Sequence, residues 1–153
     1  MSILYLIIPI STLDQPDPNL FPFVAKLGNK REKVGVRLVK GAYWDYEIKN
    51  AQKNGYPDYS VFTAKSLTDL NYLYCAKAMI DSSSILPCFA THNANTISSI
   101  MHLADGKDVS FQRLYGMGEL LYQGCEKIFD QDFKTNVYCC LLYTSPSPRD
   151  YPG

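Results

Sequence analysis

The chain has 153 residues, which suits one domain of ordinary size. Its hydrophobic fraction of 46% allows a real core and excludes an intrinsically disordered chain. Fifteen basic residues balance fifteen acidic ones, which argues against a nucleic-acid-binding protein and against a polybasic membrane-binding protein.

The first third of the chain predicts two strands separated by a loop and a short helix. Residues 3–10 are apolar and β-branched, which predicts a buried strand and is far too short to span a bilayer. Residues 11–19 contain two prolines and predict a loop, and residues 20–30 favour a short helix. Residues 33–39 alternate as a strand does, and Arg37 within it indicates an edge or a strand end that faces a polar site.

Helices and strands alternate in the following stretch. Gly41 ends the preceding strand, and Asp45 is expected to cap a helix that leads to a loop. An apolar stripe predicts a helix over 65–80, and a short apolar run predicts a buried strand over 85–90. Residues 95–103 again follow the helical pattern.

The last predicted elements are a strand over 109–114, a helix that starts near Gly118 and runs through Leu121, and a strand over 135–139. Strands that alternate with helices over connections of ordinary length predict an α/β fold with a parallel sheet. A full (β/α)₈ barrel needs about 200 residues or more, so the chain is expected to hold part of one.

The chain has an odd number of cysteines, and they show neither a metal-ligand spacing nor a CxxC pair. We expect reduced, buried thiols, and a redox role is the alternative. The five are Cys75, Cys88, Cys125, Cys139 and Cys140.

Residues 140–150 read CLLYTSPSPRD, which resembles the conceptual translation of a sequencing-library adapter. An ordinary tail rich in Ser and Pro is the alternative. We therefore expect 140–153 to lie outside the fold and the natural reading frame to continue past Cys139.

Four polar segments carry the candidate chemistry. They are Arg37–Asp45 (RLVKGAYWD), Val61–Asp69 (VFTAKSLTD), Phe89–Ala94 (FATHNA) and Phe111–Glu119 (FQRLYGMGE). Three of them lie at or just after the carboxyl end of a predicted strand, and the second lies where a loop enters a helix. In α/β barrels, catalysis and cofactor binding gather at that face.

The first segment offers donors for an anion or a flat heterocycle. Arg37 can present a fixed fork of donors, or it can form a structural salt bridge. Lys40 beside Gly41 can approach a phosphate, or it can be a solvated surface lysine. Trp44 can cover a flat ring or fill the core.

The other segments are open to two interpretations as well. Thr63 and Lys65 can hold phosphate oxygens at a helix start, or they can be a helix cap and a solvated lysine. His92 can be a ligand or base, and a satisfied buried histidine is the alternative. With His102 as the only other histidine, a metal centre has little support.

Together these segments resemble the proline dehydrogenase domain of the bacterial bifunctional proline utilization A flavoproteins. The family pattern is unaltered over Arg37–Asp45 and is followed without a gap over 58–76. ATHNA at Ala90–Ala94 matches, and 111–119 resembles FQRLHGMGE. The resemblance covers about residues 33–139.

The resemblance implies a (β/α)₈ barrel that binds FAD non-covalently, oxidises L-proline to Δ1-pyrroline-5-carboxylate and passes electrons to a membrane quinone. It also implies a fused aldehyde dehydrogenase domain, no nucleic acid bound through this segment, and a cytoplasmic location at the periphery of the inner membrane. The chain would hold roughly strands four or five to eight, without the first strands and the last helix. Residues 21–139 would be the partial barrel and residues 1–20 a separate N-terminal segment. Residues 1–19 do not resemble the fourth-strand segment of the family.

Site residues follow from the matched motifs. Arg37 would lie beside the flavin N5 region, and Tyr43 and Tyr138 would join it at the reaction. The substrate would contact Leu38, Tyr43 and Tyr138. Residues expected to contact FAD are Arg37, Val39, Lys40, Gly41, Ala42, Trp44, Thr63, Lys65, Thr68, Thr91, His92, Asn93 and Gln112.

The chain departs from the family at three positions of these motifs: Ser60 replaces a Pro, Ala64 replaces an Arg, and Tyr115 replaces a His. A partial barrel without activity on its own is the alternative function. A metal-dependent hydrolase lacks paired histidine ligands, and a thiol redox module lacks CxxC.

Overall fold

A computed structural model describes residues 33–41, 44–130 and 133–139, together with the backbone of residues 5–9. Within these ranges lie five strands and four helices, and two of the helices lie between the second and third strands. The elements are β1 (Tyr5–Pro9), β2 (Val34–Val39), α1 (Trp44–Asn54), α2 (Lys65–Asp81), β3 (Ile85–Ala90), α3 (Ala94–Ala104), β4 (Ser110–Leu114), α4 (Glu119–Phe129) and β5 (Lys134–Tyr138).

The five strands form one parallel sheet in the order β1-β2-β3-β4-β5. Each strand pairs with the strand that follows it in sequence, which is the progression of a (β/α)₈ barrel. The predicted fold class, a partial barrel, is confirmed. Among the described residues, β1 and β5 each pair on one side only, so the sheet has two outer edges.

The core lies between one face of the sheet and helices α2, α3 and α4. Side chains alternate along β2, so Val36 and Leu38 are fully buried in this core, whereas Arg37 and Val39 lie on the other face. Tyr72 of α2 is fully buried against the sheet, and its hydroxyl donates to the Leu38 carbonyl at 3.3 Å. This alternation places polar side chains on the face that the helices do not cover.

The start and end of α3 follow from its sequence. The side chain of Asn93 caps the helix, because its Oδ1 accepts the N–H of Thr96 at 3.0 Å. At the other end Asp105 takes the left-handed conformation with φ of 45°, and Gly106 follows with φ of 77°. The predicted helix and turn are confirmed.

Two helices were each predicted with one end at the wrong residue. Helix α1 begins at Trp44, so Asp45 is not the cap but lies in the first turn, where its charge still favours the helix dipole. Helix α4 continues to Phe129 instead of ending at Leu121. Its exposed Leu120 and the glycine within it obscure the apolar stripe in the sequence.

The predicted helix over 20–30 and the segment 140–153 lie outside the described residues. In the ranges that the structure covers, no helix has the length and hydropathy needed to cross a bilayer.

The cysteine prediction is confirmed for three thiols and wrong for one. Cys75, Cys88 and Cys125 are free and buried, whereas Cys139 is free and exposed. Burial raises the pKa of the Cys75 thiol to about 11 and raises the pKa values of Cys88 and Cys125 as well. Cys140 lies outside the described residues.

Candidate functional site

The carboxyl ends of β2, β3 and β4 open on a cavity of about 470 Å³. Parallel strands bring their carboxyl ends to one edge of the sheet, which is why segments distant in sequence meet here. All but three of its lining residues are predicted site residues: the lining is Arg37, Val39, Lys40, Ala90, Thr91, His92, Asn93, Gln112, Arg113, Leu114 and Tyr138. A larger cavity of about 630 Å³ lies elsewhere, beside the end of α3, and contains none of the predicted residues.

Arg37 is held in this cavity from β4 and β5. Its Nη1 donates to Oε1 of Gln112 at 2.8 Å, and its guanidinium carbon lies 5.4 Å from the ring centroid of Tyr138. Its Nε is buried and has no partner among the described residues, and no ion pair to Arg37 occurs there. Since no described carboxylate neutralises this cation, the guanidinium is available to an electron-rich ligand.

Lys40 is held by α2 and α3 and is only 19% exposed, so it is not a solvated surface lysine. Its Nζ donates to Oδ1 of Asp69 at 2.7 Å and to Oγ1 of Thr96 at 3.1 Å, and it lies 5.1 Å from the ring centroid of Tyr72. Lys65 donates to the other oxygen of Asp69 at 2.5 Å. These hydrogen bonds, the one from Lys40 first, hold the pKa of Asp69 below its ordinary value.

A second cavity of about 310 Å³ shares Lys40 with the first. Its lining is Lys40, Gly41, Trp44, Phe62, Thr63, Lys65, Thr68 and Asp69. The Nε1 of Trp44 donates to the Phe62 carbonyl at 2.9 Å, and the ring stays 39% exposed. Of the two interpretations of Trp44, filling the core is therefore wrong. Gly41 has φ of +83°, a conformation that favours glycine at the end of β2.

The Thr91-His92-Asn93 segment connects β3 to α3. Thr91 is buried and its Oγ1 accepts the N–H of Asn93 at 3.2 Å. The interpretation of His92 as a buried histidine is wrong, because the residue is exposed. Its Nε2 accepts the N–H of Leu114 at 3.2 Å, which ties it to the end of β4.

Some predicted residues are not brought to either cavity. The side chain of Leu38 is fully buried on the opposite face of β2 from Arg37, because successive strand residues point to opposite faces. The structure therefore places Leu38 in the core and not at the substrate position predicted for it. Ala42 and Tyr43 lie outside the described residues.

Sequence reasoning missed two residues that organise the site. Asp69 follows Lys65 by four positions, a helical spacing for an ion pair that could have identified it. Tyr122 is buried, its hydroxyl donates to the carbonyls of Thr91 (2.8 Å) and Gln112 (2.9 Å), and burial raises its pKa well above the ordinary value. It joins the ends of β3 and β4, and no local pattern marks it.

Neither cavity resembles a metal centre. The described ranges contain no group of three or more His, Cys, Asp or Glu side chains that could hold a metal ion.

Comparison with known proteins identifies the family of the chain. The family model of proline dehydrogenase matches residues 23–147. The chain belongs to the proline dehydrogenase family. The resemblance drawn from the four motifs is confirmed. The match ends inside the segment 140–153, whose boundary stays a prediction.

Curated relatives of this proline dehydrogenase chain are bifunctional proteins. Bifunctional protein PutA of Salmonella typhimurium is 45% identical over 112 residues, which is 69% of this chain and 8% of that protein. Bifunctional protein PutA of Escherichia coli is 48% identical over 98 residues, or 61% of this chain and 7% of that protein. The chain thus spans less than a tenth of the length of these relatives.

Solved structures of proline utilization A proteins share the fold. The protein from Bradyrhizobium japonicum superposes with a TM-score of 0.74 at 38% identity, over 88% of this chain and 14% of that one. The protein from Bdellovibrio bacteriovorus, inactivated by N-propargylglycine, gives 0.69 at 32% identity over the same shares.

Proposed function

We propose that the chain is part of the catalytic barrel of an FAD-dependent proline dehydrogenase that oxidises L-proline to Δ1-pyrroline-5-carboxylate. The observation that carries the proposal is the placement of Arg37. It lies in the cavity at the carboxyl ends of the strands, fixed by Gln112 and Tyr138, without a described counter-charge.

The residues present fit FAD. Its flat heterocycle suits Arg37, whose buried Nε lacks a partner in the described ranges, and its phosphates suit the lysines and the threonines around the second cavity. The charged residues that line the two cavities are Arg37, Lys40, Lys65 and Arg113 against Asp69, a positive balance that suits an anionic cofactor. Bound FAD supplies a two-electron acceptor, chemistry that no side chain in the site provides.

The side chains of this protein bind the cofactor and the substrate, orient them and tune the cofactor. Arg37 favours negative charge on a heterocycle beside it, because its guanidinium stays protonated and is held in place. Lys40 presents positive charge where the two cavities meet, Lys65 presents it in the second cavity, and Asp69 forms ion pairs with both lysines. Tyr138 provides an aromatic wall for the substrate ring, since its ring is 45% exposed.

The relatives that are named bifunctional support a second domain in the parent protein. We infer that the parent protein carries a fused aldehyde dehydrogenase domain, passes electrons to a membrane quinone and works in the cytoplasm at the periphery of the inner membrane. Membership of the proline dehydrogenase family supports an external acceptor, because the two electrons taken from proline must leave the enzyme before the next turnover.

A partial barrel without activity of its own is the second candidate for the isolated chain. The outer edges of β1 and β5, which pair on one side only in the described ranges, favour it. The two proposals concern the parent enzyme and the isolated polypeptide, respectively.

A chimera tests the proposed activity. The part of the Escherichia coli relative that aligns with this chain is replaced by the corresponding residues of this chain, and bound FAD and proline-dependent dye reduction are measured. We expect this chimera to be yellow and active. A matched chimera that also carries Arg37→Met is expected to have a lower turnover. A folded chimera without FAD would contradict the proposal.

A further inference from the structure

His92 is held by the segment that connects β4 to α4. The backbone N–H of Leu114 donates to its Nε2 at 3.2 Å. A Cβ placed on Gly118 would lie 2.9 Å from Cδ2 of His92, closer than real Cβ contacts come. The ring of Tyr122 meets the imidazole edge-on, with 6.4 Å between centroids.

These contacts determine where the imidazole carries its proton. A backbone N–H can only donate, so the Nε2 that accepts from Leu114 carries no proton. The neutral ring then carries its proton on Nδ1. In the part of the chain that the structure describes, Nδ1 makes no hydrogen bond, while the residue is exposed and lines the first cavity.

We propose that Leu114 and Gly118 are positioning residues that hold His92 as the neutral Nδ1–H tautomer, so that it offers one hydrogen-bond donor to an oxygen of the ligand in the first cavity. The identity of that ligand as FAD rests on the proposed function. The tautomer itself does not, because it follows from contacts within the chain.

Gly118 has two separate reasons to be glycine. Its φ of +67° lies in the left-handed region, and its missing Cβ leaves the space that the imidazole fills. Gly116, in the same connection, has φ of +75° with nothing within 4 Å of an added Cβ. The two positions therefore share the backbone cost of a substitution. They differ in that only a Cβ on Gly118 would press on His92, while its 3.7 Å approach to Cδ2 of Tyr122 is an ordinary contact.

This difference provides a matched pair of variants. The chain contains two histidines, so a background of His102→Gln leaves His92 as the only imidazole signal. With ¹⁵N-labelled histidine at about pH 8, where an ordinary histidine is neutral, solid-state NMR reports which ring nitrogen is protonated. Solid-state NMR does not require a monomeric chain.

In the unsubstituted chain we expect a protonated Nδ1 and an unprotonated Nε2. Gly116→Ala is expected to keep that signature, and Gly118→Ala is expected to lose it and give a mixture of tautomers. A protonated Nε2, or a mixture, in the unsubstituted chain would overturn the proposal without any variant. An unchanged signature in Gly118→Ala would overturn the part assigned to Gly118.

Titration with FAD tests the donor, with each substitution placed in the chimera described under the proposed function. We expect Gly118→Ala to bind FAD roughly tenfold more weakly than Gly116→Ala, since one hydrogen bond to an anionic group is lost. Equal affinities would overturn the donor part of the proposal. If the expected tautomer is found and the chimera does not bind FAD supplied in large excess, the proposed cofactor is wrong while the tautomer inference stands.

Discussion

Nη1 of Arg37 donates to Oε1 of Gln112 at 2.8 Å, although the two residues are 75 positions apart. They lie on β2 and β4, and β3 runs between these strands in the sheet. The residue of β3 that pairs with Gln112 is Ala90, and the residue of β3 that pairs with Arg37 is Cys88. The bond therefore depends on the order of the strands.

Replacement of Arg37 tests its part in tuning the cofactor. In a full-length member of the family, Arg37→Met at the aligned position is expected to lower turnover and to lower the reduction potential of the flavin. Loss of about 1.4 kcal/mol of stabilisation of the reduced form corresponds to about 30 mV for a two-electron couple. Potentiometric titration followed by absorbance measures the shift.

Arg113→Met is the matched control, because Arg113 lines the same cavity but has a counter-charge. Its Nη1 lies 3.7 Å from Oε1 of Glu119, which offsets the positive charge. We expect a smaller change in potential for this variant. An unchanged potential in Arg37→Met, or equal shifts in the two variants, would count against the role of Arg37.

Asp69→Asn tests the connection between the two lysines. The variant is expected to lower the free energy of unfolding at about pH 7 by about 1 kcal/mol or less, since Asp69 is partly exposed and solvent screens its ion pairs. Because the pKa of Asp69 is lowered by Lys40 and Lys65, this stabilisation is present above the ordinary carboxyl pKa and is lost as the pH falls through the lowered value. Urea unfolding of dilute chain at several pH values, followed through the single tryptophan Trp44, measures it.

Asp81→Asn is a control for the loss of a doubly paired carboxylate. Asp81 contacts Lys77 and Lys107 away from both cavities, and its pKa is lowered by the hydrogen bond from Lys107 first and then by that from Lys77. We expect only Asp69→Asn to weaken FAD binding. Equal binding by the two variants would show that Asp69 does not position Lys40 for the ligand.

Thiol reactivity should separate buried cysteines from exposed ones. At about pH 8 iodoacetamide is expected to label the peptide that contains Cys139 and to spare Cys75, whose pKa is raised to about 11 by burial. Because the thiol of the unfolded chain ionises at a lower pH than the buried thiol, the free energy of unfolding should fall as the pH rises from the ordinary pKa of a thiol towards 11. Mass spectrometry of the labelled peptides measures the labelling rates, and equal rates for Cys75 and Cys139 would refute the burial of Cys75.

The isolated chain is expected to associate. The edges of β1 and β5 offer unpaired backbone groups, and α4 exposes 85% of Leu120 and 75% of Ile128. Light scattering should show species larger than a monomer, little FAD should remain after purification, and proline should not reduce a dye.

Val137→Lys places a charge on the outer strand β5, at a residue that is 44% exposed. We expect it to reduce association, because a lysine on an edge strand opposes pairing with another chain. A monomeric, yellow preparation of the unsubstituted chain that oxidises proline would refute the prediction that the isolated chain associates and is inactive.

The sequence by itself determined the order of strands and helices and the four polar segments. Alternation of apolar residues marks β2 within one residue, and the Asn93 cap with the Asp105-Gly106 turn marks the extent of α3. These features are local, because hydrophobic period, capping and turn conformation depend on neighbours within a few positions. The motifs were sufficient for the family as well, since their residue order is specific.

Only the tertiary structure decided which side chains meet. That Arg37 bonds Gln112, that Asp69 joins Lys40 to Lys65, and that Leu38 belongs to the core each depend on strand order, helix placement or the face of a strand. Contacts between residues far apart in sequence leave no periodic signal, because each element is compatible with many arrangements of the others. The sheet brings the segments to one edge, and that juxtaposition makes a site of them.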